Sequence, residues 1–429
     1  MSTVLFWFRR DLRLHDQPAL VAALRCGATH LIPVFCHPPP DEATRWGFAR
    51  VGIHRRAFEQ AAVQALGTRL AGLGNPLVPL HGSAATEIPA LARRVGASVV
   101  VCEDIAVPYE QDEVAALRAT GVQVHAVWNS SLLDPGDLPW GPQELPGVFT
   151  AFRQAVERKG VQPPQPLEPP KTLLPPPPHD LQPPAPTEPA YSAGATDTRS
   201  SFPYGLSAFH GGEDAARAHL AQYLARKLPH SYKATRNGLT GIDYSSKLSP
   251  WLACGALSAR QGMAELRAFE QSHGASDGSY WLWFELLWRD YFRLLHLQHG
   301  RALYRARGLS ALPPPTHNAQ GFARWCEGRT GEPLVDAAMR ELSTTGYLSN
   351  RLRQVAASYL IHDLYGDWRA GAAWFESQLL DYDPYSNQGN WLYIAGRGTD
   401  PRGGRRFNPQ KQAQDHDADG SYRRMWSAA

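Results

Sequence analysis

Cysteine is scarce and scattered: Cys26, Cys36, Cys102, Cys254 and Cys326 stand at least ten residues apart. No ligand pair at CxxC spacing exists for zinc or an iron–sulfur cluster, and a disulfide scaffold is equally unexpected. Long apolar runs are missing too, since none approaches the roughly 18 residues of a membrane span. The N-terminus, charged from Arg9 onward, has no secretory cleavage pattern, so a cytoplasmic protein without a membrane partner is expected. GxGxxG and the Walker A pattern are both absent, which removes the two commonest phosphate-cradling signatures. Charge of one sign is nearly balanced at a formal +3, too little by itself to announce a polyanion partner. With 43% hydrophobic and 19% charged residues the chain is neither disordered nor a fibrous repeat.

What remains is 429 residues, enough for two or three domains. Up to about residue 130, the apolar runs VLFWF (4–8), THLIPVF (29–35), PLVPL (76–80), ASVVV (97–101) and VQVHAVW (122–128) alternate with amphipathic stretches near 48–73, 84–95 and 110–120. That alternation predicts a doubly wound parallel sheet in an α/β domain over 1–131. Such sheets bind ligands at the C-terminal ends of their strands, here including RRDLRLHD after the first. Arg9, Arg10 and Arg13 fit either a ligand-facing segment or a solvated turn paired with Asp11 and Asp16. Residues 163–189 hold thirteen prolines in 27 positions, so 132–204 reads as a connector with an extended, surface-running stretch. From about 205 to 429 apolar residues recur at three- and four-residue spacing, over 210–228, 249–266, 279–300, 334–346 and 350–366, which predicts an all-α domain.

The charge is unevenly divided. Residues 1–204 carry 17 Lys and Arg against 19 Asp and Glu, and residues 205–429 carry 26 against 21. Nine of the thirteen tryptophans also lie in the second part. Basic residues among aromatics suit stacking of a planar ligand or of bases, although most tryptophans are expected simply to be core. YSSKLSPW (244–251) sets hydroxyls at Ser245, Ser246 and Ser249 beside Lys247, before a helix that Pro250 can open. It reads as an anion site or as an ordinary Ser cap, with Tyr232, Lys233 and Arg236 upstream as further donors. Glu285 and Arg289 share a helix face at i,i+4 in WLWFELLW, an apolar run that argues for charges lining a cavity. Asn350, Arg351 and Arg353 start another helix, and Asp381, Asp383, Ser386 and Asn387 fall in LLDYDPYSNQGNW. An arginine facing two carboxylates is a structural brace or, in a cavity, a grip on a nucleotide.

YSSKLSPWLxxGxLSxR, FELLWRDYFR, GRTGxPLVDAAMRELxxTGYLSNRLRQ, DWRxGAxWFExxLLDYDxxSNxGNWLY and AGxGxDPRxxRxFNPxKQ, in this order, closely resemble the photolyase/cryptochrome family. The LPGVFTAFRQAVE region, SNQGNWLY and the DPR…KQ tail are similar to its DASH cryptochrome branch. The resemblance implies an all-α C-terminal FAD-binding domain whose FAD meets Tyr232, Ser245, Ser246, Lys247, Leu248, Ser249, Arg289, Arg353, Asp381, Asp383, Ser386 and Asn387. It places Arg353 with Asp381 beside the isoalloxazine and Asn387 near flavin N5. It also implies Glu285, Trp288, Asn350 and Tyr393 as catalytic contacts to a flipped pyrimidine dimer, and Arg351, Arg405 and Gln412 as DNA contacts. Other members have Trp where Tyr393 stands, and a (6-4) photolyase has His where Asn350 stands. Light-driven, FAD-dependent cleavage of cyclobutane pyrimidine dimers, preferentially in single-stranded DNA and by a monomer, is therefore expected. A blue-light receptor that binds DNA without repairing it is the alternative, disfavoured by these residues and by the short stretch after Trp426. Two features depart from the pattern. Trp391 and Trp368 match the family's photoreduction tryptophans, but the third position falls at Pro315, so another aromatic such as Trp325, Trp374 or Tyr365 would have to complete the chain. The glutamate that would hold a 5,10-methenyltetrahydrofolate antenna aligns with Glu103, Glu110 or Glu113.

Overall fold

Five short runs rich in β-branched and aromatic residues pair into one fully parallel sheet: β1 (Thr3–Phe8), β2 (His30–His37), β3 (Val78–His81), β4 (Val99–Glu103) and β5 (Gln123–Val127). This is a computed structural model, and it describes residues 2–141, 143–178 and 197–427. The strand order is β3-β2-β1-β4-β5, with Thr3 opposite His30 and Val4 opposite Val99, so the order reverses on either side of β1. Helices α1 (Pro18–Arg25), α2 (Ile53–Gly72), α3 (Ala84–Val95) and α4 (Pro108–Ala119) make the crossovers. One face of the sheet packs Leu5, Ile32, Val100 and Cys102 against Ile88, Leu91 and Leu117. The opposite face packs Val4, Phe6 and Phe8 against α2 and, across the chain, against Phe202, Trp251, Tyr347 and Leu380. That second core joins the sheet to the helices that follow.

After α5 (Phe149–Lys159) the proline-rich connector is extended, because proline can neither donate to a ladder nor continue a helix. It runs along the sheet domain, where the carbonyls of Leu167 and Pro175 accept from Asp16 and Leu31 at 2.7 and 3.1 Å. Residues 179–189 of the proline stretch lie outside the described residues. The helical part comprises α6 (Glu213–Ala225), α7 (Tyr232–Thr235), α8 (Ser249–Cys254), α9 (Ala259–His273), α10 (Asp277–His299), α11 (Ala319–Cys326), α12 (Pro333–Thr345), α13 (Asn350–His362), α14 (Trp368–Gln378), α15 (Pro384–Ala395), α16 (Pro409–His416) and α17 (Ser421–Met425). Its core gathers Trp325, Leu342, Leu352, Leu360, Trp368, Phe375 and Trp391. Each such side chain contributes about 1.5–3 kcal/mol of burial. Among the described residues no helix is long and apolar enough to cross a membrane.

RRDLRLHD forms neither a ligand-facing segment nor a solvated turn. Arg9 and Arg13 are buried, Arg9 pairs with Glu113 at 2.9 Å, and Arg13 donates to the carbonyls of Asp16 and Gly255 at 2.8 and 3.0 Å. Arg10 reaches the carbonyl of Tyr382 at 3.2 Å, so this segment is the polar seam between the sheet and the helices. Gly255 allows that seam to close. It ends α8 at φ +76°, and a Cβ there would stand 1.9 Å from the Arg10 carbonyl oxygen.

Candidate functional site

Three helices and one loop converge on a cavity of about 440 Å³ inside the helical part. The first half of α10 supplies one wall. Its run WLWFELLW is half-buried on nearly every side because Leu282, Phe284, Glu285, Leu286, Trp288 and Arg289 all face into the cavity or beside it. Helix α13 brings Asn350 and Arg353, the turn into α15 brings Asp381 and Asp383, and α15 itself adds Ser386, Asn387, Asn390, Trp391, Tyr393 and Ile394. The loop before α8 supplies Ser245, Ser246, Lys247, Leu248 and Ser249, with Tyr232 of α7 and Arg236 nearby. All but four of the site residues read from the sequence lie on this lining.

The deep end is ionic. Arg353 donates to both oxygens of Asp381 at 2.9 and 2.8 Å. Asp383 caps α15 by accepting from Ser386 N–H at 2.7 Å and pairs with Arg293 at 2.5 Å, an arginine the sequence reading missed. Burial alone would raise Asp383, but Arg293 and Arg289 outweigh it and hold the carboxyl well below the usual range. Arg289 does not pair with Glu285. It donates to the carbonyls of Ser130 and Leu252 at 2.8 and 3.1 Å, its Nε lacks a partner, and burial with Arg293 beside it lowers its pKa to about 10. Helical spacing alone could not show that backbone carbonyls would take the guanidinium.

Lys247 is the least satisfied group. It is 2% exposed, sits at φ +56°, and its Nζ lies 3.1 Å from the Tyr244 ring centroid with no hydrogen-bond partner. Burial drives its pKa well below the ordinary lysine value, against the pull of Glu341. The serines beside it do not act as an ordinary cap, because α8 starts at Ser249 after Leu248 with no side-chain cap. Lys233, by contrast, is turned outward and bonds Asp277 at 2.8 Å.

The mouth is aromatic and carries a carboxylate. Trp288 and Tyr393 stand edge to face with centroids 6.0 Å apart, and Phe149 of α5 stacks on Trp288 at 3.8 Å. Glu285 pairs with Arg236, which lies 4.4 Å from the centroid of Trp281. Burial raises the Glu285 pKa and Arg236 opposes that rise. Asn350 is exposed at the rim. Asn387 donates to the Ala372 carbonyl at 3.0 Å.

Four predicted residues lie off this lining. Trp368 is buried behind it, its Nε1 donating to the Ala306 carbonyl at 3.1 Å. Arg351 bonds Asn237 at 2.9 Å, and Gln412 is half-buried on α16. Arg405 donates to the Tyr393 hydroxyl at 2.8 Å and pairs with Asp400 at 3.1 Å, so it braces one wall of the mouth.

The candidate antenna residues are elsewhere, in the seam. Glu103 is 1% exposed and accepts from the Arg10 N–H at 3.2 Å; burial, with Asp11 nearby, pushes its pKa to about 7. Glu110 is buried with one oxygen 3.6 Å from Arg10, and Glu113 holds Arg9. Glu103 and Glu113 are thus engaged with Arg10 and Arg9, whereas Glu110 Oε2 is buried without a hydrogen-bond partner.

Comparison with known proteins agrees with this geometry. Residues 4–171 match the DNA photolyase family model, and residues 281–429 match the FAD binding domain of DNA photolyase. Cryptochrome DASH of Synechocystis sp. is 43% identical over 99% of this chain and 87% of its own length. Cryptochrome DASH of Xenopus laevis is 40% identical over 99% and 82%. The crystal structure of a Synechocystis cryptochrome superposes with a TM-score of 0.91 at 41% identity, covering 99% of this chain and 88% of that one. A class III photolyase from Agrobacterium tumefaciens follows at a TM-score of 0.78 and 29% identity, covering 99% and 86%. With a parallel sheet joined to a helical FAD-binding domain, and relatives at this identity over nearly its whole length, the chain belongs to the photolyase/cryptochrome family, in its DASH cryptochrome branch.

Proposed function

We propose that this flavoprotein is a blue-light-dependent lyase that cleaves cyclobutane pyrimidine dimers, preferentially in single-stranded DNA. The observation that carries the reading is one cavity with two chemically different ends: buried ion pairs and an unpartnered lysine at depth, and a carboxylate between aromatic walls at the mouth. The deep end fits FAD. Lys247 Nζ and Arg289 Nε are buried donors without partners, as a pyrophosphate and ring edges would require, with the hydroxyls of Ser245, Ser246 and Ser249 beside them. Tyr232, Leu248, Arg353, Asp381, Asp383, Ser386 and Asn387 would complete the seat. When bound and reduced, FAD supplies light-driven one-electron chemistry.

The protein's own residues do the rest. Trp288 and Tyr393 present an apolar corner, edge to face at 6.0 Å, which suits a dimer already turned out of its strand. Glu285, raised by burial, stands closer to protonation than an exposed glutamate and can donate to a pyrimidine carbonyl; Arg236 keeps it in place. Asn350 at the rim offers an amide to the second base. Arg351, Arg405 and Gln412 would serve the flanking strand, with Arg405 also bracing Tyr393 through its hydroxyl. A tyrosine wall is narrower than an indole, so it stabilises the extruded dimer less and makes extraction from a duplex harder. Single strands, where no pairing opposes extrusion, are the better substrate. Dark binding tests this: a dimer-containing single strand should compete at least tenfold better than the same dimer in a duplex, and equal competition would refute the preference. Full binding without any photocleavage would instead support the receptor reading.

A further inference from the structure

The aromatic walls of the mouth have free space behind them. Trp288, Phe292 and Tyr393 line both the main cavity and a second one of about 50 Å³, so these rings are the partition between the two. The rear cavity exceeds the roughly 10–15 Å³ that a single water needs, which leaves a ring room to tilt backwards. The shape of the mouth therefore depends on what braces the rings from outside α10 and α15. Phe149, the first residue of α5, lines the rear cavity and stacks flat on Trp288, with centroids 3.8 Å apart and planes 13° from parallel. Across the mouth, Asp400 pairs with Arg405 at 3.1 Å, and Arg405 donates to the Tyr393 hydroxyl at 2.8 Å. The two braces are tied to each other. Tyr291 donates its hydroxyl to the Pro146 carbonyl at 2.9 Å and stands 3.3 Å from the Thr399 hydroxyl, which joins the turn before Phe149 to the residue before Asp400. We infer that Phe149 and Asp400 are positioning residues for the substrate, which together hold Trp288 and Tyr393 at the edge-to-face angle that receives an extruded dimer.

This inference rests on the dimer-cleaving reading of the same mouth. Neither residue lines the main cavity, so each acts through the ring it braces. A parallel face contact is lost when the indole tilts, whereas an aliphatic neighbour can follow it, so the flat ring of Phe149 is what opposes the tilt. Tyr393 is held by a chain of charge and hydrogen bond instead. Bonds from Arg402, with Arg405 nearby, hold the Asp400 carboxyl below its ordinary value, so this brace is ionised at neutral pH. A misangled partition receives the dimer less well but leaves Glu285 and the deep ion pairs in place. The effect therefore belongs to KM and not to kcat.

The test is photocleavage of a dimer in a single strand by dithionite-reduced protein under saturating blue light, with the substrate concentration varied. Phe149→Leu keeps an apolar side chain without the flat face, and it should raise KM at least threefold with kcat within twofold and FAD per protein unchanged. A residue that only packs would lose melting temperature and keep its KM. Asp400→Asn gives a second reading outside the core, and it alone decides if Phe149→Leu does not hold FAD. It removes a negative charge beside a polyanion, which by charge alone would lower KM, whereas a released Tyr393 raises it; at least threefold is again expected. A smaller rise in either flavin-replete variant overturns the inference while wild-type cleavage leaves the reading of the mouth intact. If wild type binds the dimer without cleaving it, the same thresholds apply to dissociation constants measured in the dark. A wild type that neither binds nor cleaves dimers overturns that reading and this inference together.

Discussion

Glu285 and Asp381 are both carboxylates in one cavity, yet their partners give them opposite expected phenotypes. Glu285 sits at the mouth, held by Arg236 and free of the deep ion pairs. Glu285→Ala should lower dimer repair by at least about tenfold, about 1.4 kcal/mol in the barrier, while FAD content stays near wild type. Flavin loss as its main effect would reassign the residue to the cofactor. Asp381 accepts two bonds from Arg353 at depth. Asp381→Ala leaves that guanidinium without its partner at a cost of about 3–5 kcal/mol, so FAD content and melting temperature should fall together. A stable, flavin-replete variant would contradict the assignment.

At the scale of elements, the turn between α8 and α9 decides how the two parts of the molecule meet. Gly255→Ala must place its Cβ against the Arg10 carbonyl in a left-handed backbone. The expected result is a melting temperature several degrees lower in thermal unfolding, with a much smaller effect from Gly96→Ala, which shares the left-handed backbone at φ +66° but whose Cβ would meet nothing within 4 Å. Equal effects would show that the close approach is unimportant. This turn also marks where the sequence was hard to read. Apolar periodicity suggests one helix over 249–266, but Gly255 divides it into α8 and α9 because the backbone of another domain needs the space. The sheet was legible because its strands are apolar runs bounded by helical stretches, although α1, only eight residues long, carried too little periodicity to stand out. Helices α14 and α15 were visible as motifs rather than as periodic patterns, since both are buried on most sides. In the site, Lys247, Arg353, Asp381 and Asp383, read from residue types on short segments, all line the one cavity. The pairings of Arg293 with Asp383 and Arg236 with Glu285 join residues 90 and 49 positions apart, and no local pattern encodes them.

For the whole molecule, the buried seam should make stability depend on pH. Glu103 is raised from 4.5 to about 7, first by burial and then by Asp11, so the native state holds a proton that the unfolded chain releases. Its contribution is complete below about pH 4.5 and is lost as pH rises through about 7. Relative to Glu103→Gln, which does not titrate, the wild type should lose melting temperature between pH 5 and pH 8. A difference that stays constant over that range would show that Glu103 is ionised in the native seam.

The central claim is that the two ends of the cavity work as one light-driven site. Its most direct measurement is photocleavage of a defined thymine dimer by dithionite-reduced protein under blue light, with the oligonucleotide resolved by chromatography in single-stranded and duplex form. The account predicts restored thymines only under illumination, at least tenfold faster in the single strand, and loss of that signal in Glu285→Ala at full FAD content. Intact dimers in both substrates after prolonged illumination of a flavin-replete protein would contradict it.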